Sequence, residues 1–355
     1  MVYRGERNMT SRDSGPSGET VTLPEGPKDT ISALRWSPTA GHLAASSWDG
    51  QVYIYDLTNS ASTASVKALA SIPVGTPVLD CDFSTDGRLV AAAGSDNAIH
   101  VMDLQSGETR KLEAHTLPVR AVRFFRRPWV NNHLLASASW DKTVLYWDLR
   151  QPKPIGVLQL PDRVFAMDVA ESLLAAATAD RHIHFVDLGN PTQPRLSRES
   201  PLKYHMTSIS VSRDGCCAAV GGVDGRAAAY HGLGNANVNE VTDFTYKCHR
   251  SPDTNKGGQT NVYAVNAVSY SPVNHDILAT AGSDGTFAIW NVKNHSTVER
   301  PHEASGPITA LSFARDGKAL AYAVGYDWAK GVQHYPSAAK PEIVLHKFGD
   351  TPGKK

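Results

Sequence analysis

The residues that could do chemistry are few and scattered. His115 precedes Ser139, Asp141 and Trp147 at a spacing that fits a buried hydrogen-bond relay. A His–Asp pair also suggests proton transfer, but such a relay satisfies polar groups that would cost free energy inside a sheet. His182 and His184 alternate on a strand and share one face, yet two imidazoles lack the remaining ligands of a zinc centre. No GxSxG elbow, P-loop or HExxH occurs, and the four cysteines, Cys81, Cys216, Cys217 and Cys248, include no CxxC pair. The expectation is a protein that binds rather than catalyses, with no cofactor and no metal. Two basic clusters stand out: Arg120, Arg123, Arg126 and Arg127, and Arg195, Arg198 and Lys203. Each reads as a solvated charged face.

Composition sets the frame. The 355 residues carry 35 basic and 35 acidic side chains, so wholesale electrostatic capture of nucleic acid is not indicated and any basic surface must be local. The N-terminus lacks an apolar core of signal-peptide type, and no apolar run approaches membrane-spanning length, so secretion and membrane insertion are not expected.

What must position these residues is a repeat. SASWDKTVLYWDL at 137–149 matches ASSWDGQVYIYDL at 45–57, AAGSDNAIHVMDL at 92–104, AATADRHIHFVDL at 176–188 and TAGSDGTFAIWNV at 280–292. Weaker copies are VGGVDGRAAAYHG at 220–232 and AVGYDWAKG at 323–331. The aligned aspartates are Asp49, Asp96, Asp141, Asp180, Asp224, Asp284 and Asp327, spaced by 47, 45, 39, 44, 60 and 43 residues. That period belongs to a WD-type blade of four strands. Small residues precede each aspartate, a tight turn follows, and an alternating strand comes next. The fold predicted is all-β: a seven-bladed WD-repeat β-propeller. Its ring is closed by an N-terminal strand, Val21 to Leu23, added to a last blade made of 308–313, 319–324 and 342–348. Residues 1–19 are expected to be a disordered tail, 20–349 the propeller and 350–355 a basic C-terminal tail.

The repeat breaks in two places. The longest spacing, between Asp224 and Asp284, holds FTYKCHR and the polar, Gly-rich SPDTNKGGQTN. The second break, YDWAKGVQHYPSAAKP at 326–341, puts Trp328, Lys330 and Tyr335 in a surface loop. Long loops on a rigid scaffold commonly carry function.

Several of these segments carry a resemblance. SSWDG (46–50), GTPVLDCDF (75–83), VDGRAAAY (223–230), YKCHR (246–250) and YAVNAVSYSP (263–272) resemble the Rae/Gle-type nuclear-pore mRNA export factors, a WD-repeat family shared with Bub-type spindle-checkpoint propellers. LQLPDRVFAMDV (158–169), ESPLKYH (199–205) and YDWAKG (326–331) resemble the export branch. The resemblance implies residence at nuclear pores and shuttling to the cytoplasm. It implies binding of an acidic peptide, the GLEBS motif of a Gly-Leu-Phe-Gly-repeat nucleoporin, and joint contact with single-stranded RNA, for which Arg120, Arg123, Arg126, Arg127, Arg195, Arg198 and Lys203 of the two basic clusters are the candidates. In the checkpoint branch the GLEBS motif lies in checkpoint kinases and kinetochore scaffolds, which implies checkpoint kinases or spindle components as the alternative partners. It further implies that Arg226 and Arg250 grip glutamates and that Trp48 packs on the apolar part of the peptide. Read without it, Arg226 is a solvated hairpin residue, Trp48 and Trp140 are blade packing, and the chain is a generic WD adaptor. The sequence departs from the family at Val223–Asp224 and at Ala227 to Ala229, which implies a peptide-facing surface altered in detail.

Overall fold

The computed structural model describes residues 18–24, 26–58, 68–127, 130–234, 240–252, 259–299, 301–335, 340–349 and 352. Most of the two expected tails therefore lies outside the described residues, as do 253–258 of the long insertion and 336–339 of the last-blade loop. Seven antiparallel sheets, each built on four consecutive strand positions, stand around a central channel. We number these blades 1 to 7 from the N-terminus. In each, the innermost strand lines the channel: Ile31–Trp36, Val78–Phe83, Val119–Arg127, Val164–Ala170, Met206–Val211, Val265–Tyr270 and Ile308–Phe313.

The second strands explain the small residues before each aspartate. His42–Ser47, Leu89–Gly94, Leu173–Thr178 and Ile277–Gly282 are wedged between neighbouring blades and almost wholly buried. Side chains alternate between the two neighbours, as strand geometry requires. Ala45 packs into the core shared with blade 7, whereas Ala44 packs into the core shared with blade 2.

The chain leaves each second strand in the same way in all seven repeats, although in blade 7 a long loop then precedes the third strand. The residue following the aligned aspartate has positive φ: Gly50, Asn97, Lys142, Arg181, Gly225, Gly285 and, in the degenerate copy, Trp328 at 61°. The left-handed region is cheap for glycine and costly for a bulky side chain, so Trp328 is held there against its preference.

Blade 7 is closed by the N-terminal segment. Glu19–Thr22 pairs antiparallel with Glu342–Lys347, outside Ala319–Val324 and Ile308–Phe313. The closing strand starts at Glu19, slightly earlier than the sequence suggests, and includes the last residue of the expected tail. The ring leaves no unpaired edge where the chain ends meet.

The relay of blade 3 is present, with one correction. His115 Nδ1 lies 2.8 Å from Asp141 Oδ2, and Nε2 lies 2.8 Å from the hydroxyl of Ser137, not of Ser139. Trp147 Nε1 donates to the same Ser137 oxygen at 2.8 Å. Ser139 instead donates to the Leu117 and Pro118 carbonyls. A second relay, unexpected from the sequence, uses His249 of the KCHR segment with Asp284, Thr280 and Trp290. Burial alone would raise the Asp141 carboxyl, but bonds from His115 and Thr143 outweigh it and hold the group well below the usual carboxylate range.

Candidate peptide-binding face

Every inner strand carries a bulge after its first residue, seen as a register shift at 31/33, 78/80, 119/121, 164/166, 206/208, 265/267 and 308/310. The bulged second residues, Ser32, Leu79, Arg120, Phe165, Thr207, Asn266 and Thr309, form a ring at one mouth of the channel. Trp48, Trp140 and Trp328, from the turns after the second strands, complete it. A bulge re-aims one side chain out of the pleat, and seven repeats of it build a rim.

The same face carries the two arginines. Arg226 opens the third strand of blade 5, just after the turn at Asp224–Gly225, and Arg250 opens the short hairpin Arg250–Pro252 with Thr260–Val262. Together with Lys203, Tyr204, Val223, Asp224 and Val262 they line one cavity of about 460 Å³. Arg250 donates from Nε to the Gly225 carbonyl at 3.2 Å and from Nη2 to the Asp224 carbonyl at 2.6 Å. Arg226 Nε lies 3.7 Å from Asp224 Oδ2, and its side chain is about one-third exposed. A Cβ at position 225 would come within 2.9 Å of Val262 and 3.1 Å of the Cys248 carbonyl, so glycine is needed for contact as well as for φ. Tyr204, Val223 and Val262 present apolar surface to solvent around the three cations.

Trp48 is half-exposed and stacks on Trp328, ring centroids 5.5 Å apart and planes 17° apart, and Trp328 stacks in turn on Tyr335 at 5.1 Å. Trp48 does not enter the arginine cavity. Between them, Phe165 lines the channel mouth together with Trp48, His205 stands edge-on to Phe165 at 5.8 Å, and the adjacent Tyr204 lines the arginine cavity. Ala227, Ala228 and Ala229 are fully buried, so this departure from the family lies in the core and not on the surface a guest would meet.

Among the described residues the basic clusters do not form patches. Arg123 is buried, donating to Asp168 Oδ1 at 2.8 Å and to Asp80, which removes it from the RNA candidates: its charge is consumed inside the channel. Arg120 lines the channel mouth and donates to the Leu79 carbonyl. Arg126 reaches Thr85 at the opposite end of its strand. The side chain of Arg127 lies outside the described residues. Arg195 donates to the Leu233 carbonyl, and Arg198 lies 3.8 Å from Asp243, both along the outer edge of blade 4. Lys203 stands apart from them, in the arginine cavity.

One feature of the channel escaped the sequence reading. The fifth residues of the inner strands, Arg35, Asp82, Arg123, Asp168, Ser210, Ser269 and Ser312, ring the other mouth with alternating charge over four blades. Burial pushes Asp80 up to about 6 and Asp82 up to about 7, against the pull of Arg35. Aligning the repeats by their inner strands would have exposed this ring.

Among the described residues no helix is long and apolar enough to cross a membrane.

Comparison with known proteins agrees with this architecture. The family model described as WD domain, G-beta repeat matches residues 18–56, 67–103, 107–148 and 246–291. Each match takes in the outer strand of the preceding blade, wholly or in its last residues, so the sequence repeat and the blade are offset by one strand. The chain is 41% identical to the WD40 repeat protein poxJ of Penicillium oxalicum, over 95% of this chain and 96% of that protein. It is 37% identical to the poly(A)+ RNA export protein of Schizosaccharomyces pombe, over 96% and 93%. It is 36% identical to the mRNA export factor GLE2 of Chaetomium thermophilum, over 96% and 93%.

Proposed function

The chain belongs to the WD-repeat family that includes these mRNA export factors, and from that premise we propose that it is a non-catalytic adaptor of mRNA export at nuclear pores. It holds an acidic, extended peptide of the GLEBS type, from a Gly-Leu-Phe-Gly-repeat nucleoporin, across the channel face. The observation that carries this reading is the convergence of Arg226 and Arg250, from two separate elements, with Lys203 on one exposed cavity edged by Val223, Val262 and Tyr204. A guanidinium donates two parallel bonds to a carboxylate and keeps its charge when partly desolvated. Arg250 is held in place by two backbone carbonyls, so little freedom is left to lose on binding. The route by Tyr204, His205 and Phe165 to the Trp48–Trp328 stack suits a peptide with glutamates at one end and apolar side chains at the other.

Calorimetry with a synthetic GLEBS peptide tests the reading. Arg226→Ala and Arg250→Glu should each weaken binding by about 2–5 kcal/mol while the melting curve stays near wild type. Unchanged affinity in both variants removes the site. Recovery of checkpoint kinases in place of nucleoporins from nuclear extract would move the protein to the Bub-type branch, and recovery of unrelated complexes would make it a generic adaptor. Single-stranded RNA contact, made jointly with the peptide, belongs to the same proposal on narrower support: Lys203 is the member of the two clusters that adjoins the arginines.

A further inference from the structure

We infer that Glu299, His302 and His346 form a binding site for a borderline divalent cation, Zn²⁺ foremost, at the outer seam between blades 6 and 7. One donor atom from each residue lies within 4.8 Å of the other two. Glu299 Oε2 and His302 Nε2 stand 3.1 Å apart, close to the separation of two ligands on a tetrahedral zinc with bonds of about 2.0–2.2 Å. The imidazoles of His302 and His346 have centroids 4.5 Å apart with planes inclined at 59°, so small side-chain rotations bring the third donor in.

The three residues come from different elements. His302 lies on the short strand His302–Glu303, paired opposite Phe287, and its ring is stacked on Phe287 at 4.6 Å with planes 11° apart. Glu299 precedes it in the connecting bend. His346 lies in Glu342–Lys347, the third strand of blade 7. A ligand whose plane is fixed by stacking loses little freedom when it coordinates.

An independent observation points to a ligand. His346 is 2% exposed, and its Nδ1 is buried with no hydrogen-bond partner. Glu299 Oε2 and His302 Nε2 satisfy each other and leave His346 Nδ1 unsatisfied, a condition buried polar groups rarely tolerate. Two imidazoles and one carboxylate are a zinc-type donor set that leaves a fourth position for water.

The location suits a cross-link. The outer edge of blade 6 consists of two fragments, Ser296–Thr297 and His302–Glu303. A cation here would tie the second fragment to blade 7 beside the closing strand. Gly18, just before that strand, lies so close that a Cβ would come within 2.5 Å of His346 Cε1 and Nε2.

The experiment uses the full chain stripped of metal with a chelator, then titrated with Zn²⁺ against a chromophoric competitor and separately with Co²⁺. One equivalent should bind, raise the melting temperature, and give Co²⁺ the visible bands of a four- or five-coordinate nitrogen–oxygen site. His302→Ala and Glu299→Gln should each weaken binding at least about 10-fold, while Cys216→Ser leaves it unchanged. These two variants sit at half-buried positions, and their melting curves in chelator report folding where His346→Leu fails to fold. Zinc binding unaffected by His302→Ala, absent from wild type, or accompanied by a sulfur-to-cobalt charge-transfer band overturns the proposal.

Discussion

The main-chain carbonyl of Asp224 accepts a bond from Arg250 Nη2 at 2.6 Å, while its own carboxylate lies 3.7 Å from Arg226 Nε. One residue thus fixes the first guanidinium through its backbone and competes for the second through its side chain. Asp224 Oδ1 is buried without a hydrogen-bond partner, so the carboxylate is not fully committed to Arg226.

This arrangement predicts the effect of Asp224→Asn. The backbone bond to Arg250 remains, and the charge that competes with a guest carboxylate is removed. A partly exposed pair of this kind is worth about 0.2–1 kcal/mol. Acidic-peptide binding should therefore tighten by up to about fivefold in calorimetry. Weaker binding would show instead that Asp224 orients Arg226 for the guest.

Ser137→Ala should be among the most damaging single-atom deletions. The Ser137 hydroxyl is shared by His115 Nε2 and Trp147 Nε1, and both lose their partner in a site with essentially no solvent. At about 1–3 kcal/mol for each of the two buried groups left unsatisfied, the loss should be about 2–6 kcal/mol in denaturant unfolding. A change under ~0.5 kcal/mol would mean that the relay has little role in stability.

The sequence error at this relay is instructive. Ser137 and Ser139 lie two apart on one strand and so face the same way, and spacing alone does not separate them. Register decides: Leu135 pairs with Trp147 and Ser137 with Leu145, which brings the indole to Ser137. The seven aspartates were legible because a tight turn punishes substitution locally. The basic cluster at 120–127 was misleading because a bulge and the cross-blade partners Asp80 and Asp168, about one repeat away on either side, decide where Arg120 and Arg123 point. Both partners were in view in the sequence but only a ring-wise alignment relates them. The convergence of Arg226 and Arg250 depends on the hairpin at Arg250–Pro252, which no local pattern announces.

Asp82 gives the fold a pH signature. Its folded value, about 7, lies above the ordinary 3.8 because burial outweighs the attraction of Arg35. In the window between these values the native state binds more protons than the unfolded chain, so this group makes stability fall as pH rises from about 4 to about 7. Asp82→Asn removes that component. The variant should match wild type near pH 4 and gain on it progressively toward pH 8 in thermal melts. His346 acts in the opposite direction: its neutral form is favoured in the fold, so its contribution is lost as pH falls from the ordinary histidine value of 6.5 toward about 4. The difference between variant and wild type cancels that common term. A difference that does not change with pH would show that Asp82 is charged throughout.

Lys203 and Arg123 should separate RNA contact from architecture. Lys203 is exposed beside Arg226 and Arg250, whereas Arg123 spends its charge on two buried carboxylates. If the peptide complex holds single-stranded RNA along this face, Lys203→Ala should lower the slope of log affinity against log salt by about 0.7, the value for one phosphate contact on a single strand. Arg123→Ala should leave that slope unchanged in protein that remains folded, while costing up to about 3–5 kcal/mol of stability because Asp80 and Asp168 stay buried with Arg35, 3.7 Å from Asp168, as the remaining guanidinium between them. Arg123→Met restores packing volume but not charge, so it should recover little of that loss unless the carboxylates take up protons. A salt slope that responds to Arg123 and ignores Lys203 would place the RNA in the channel and away from the arginine cavity.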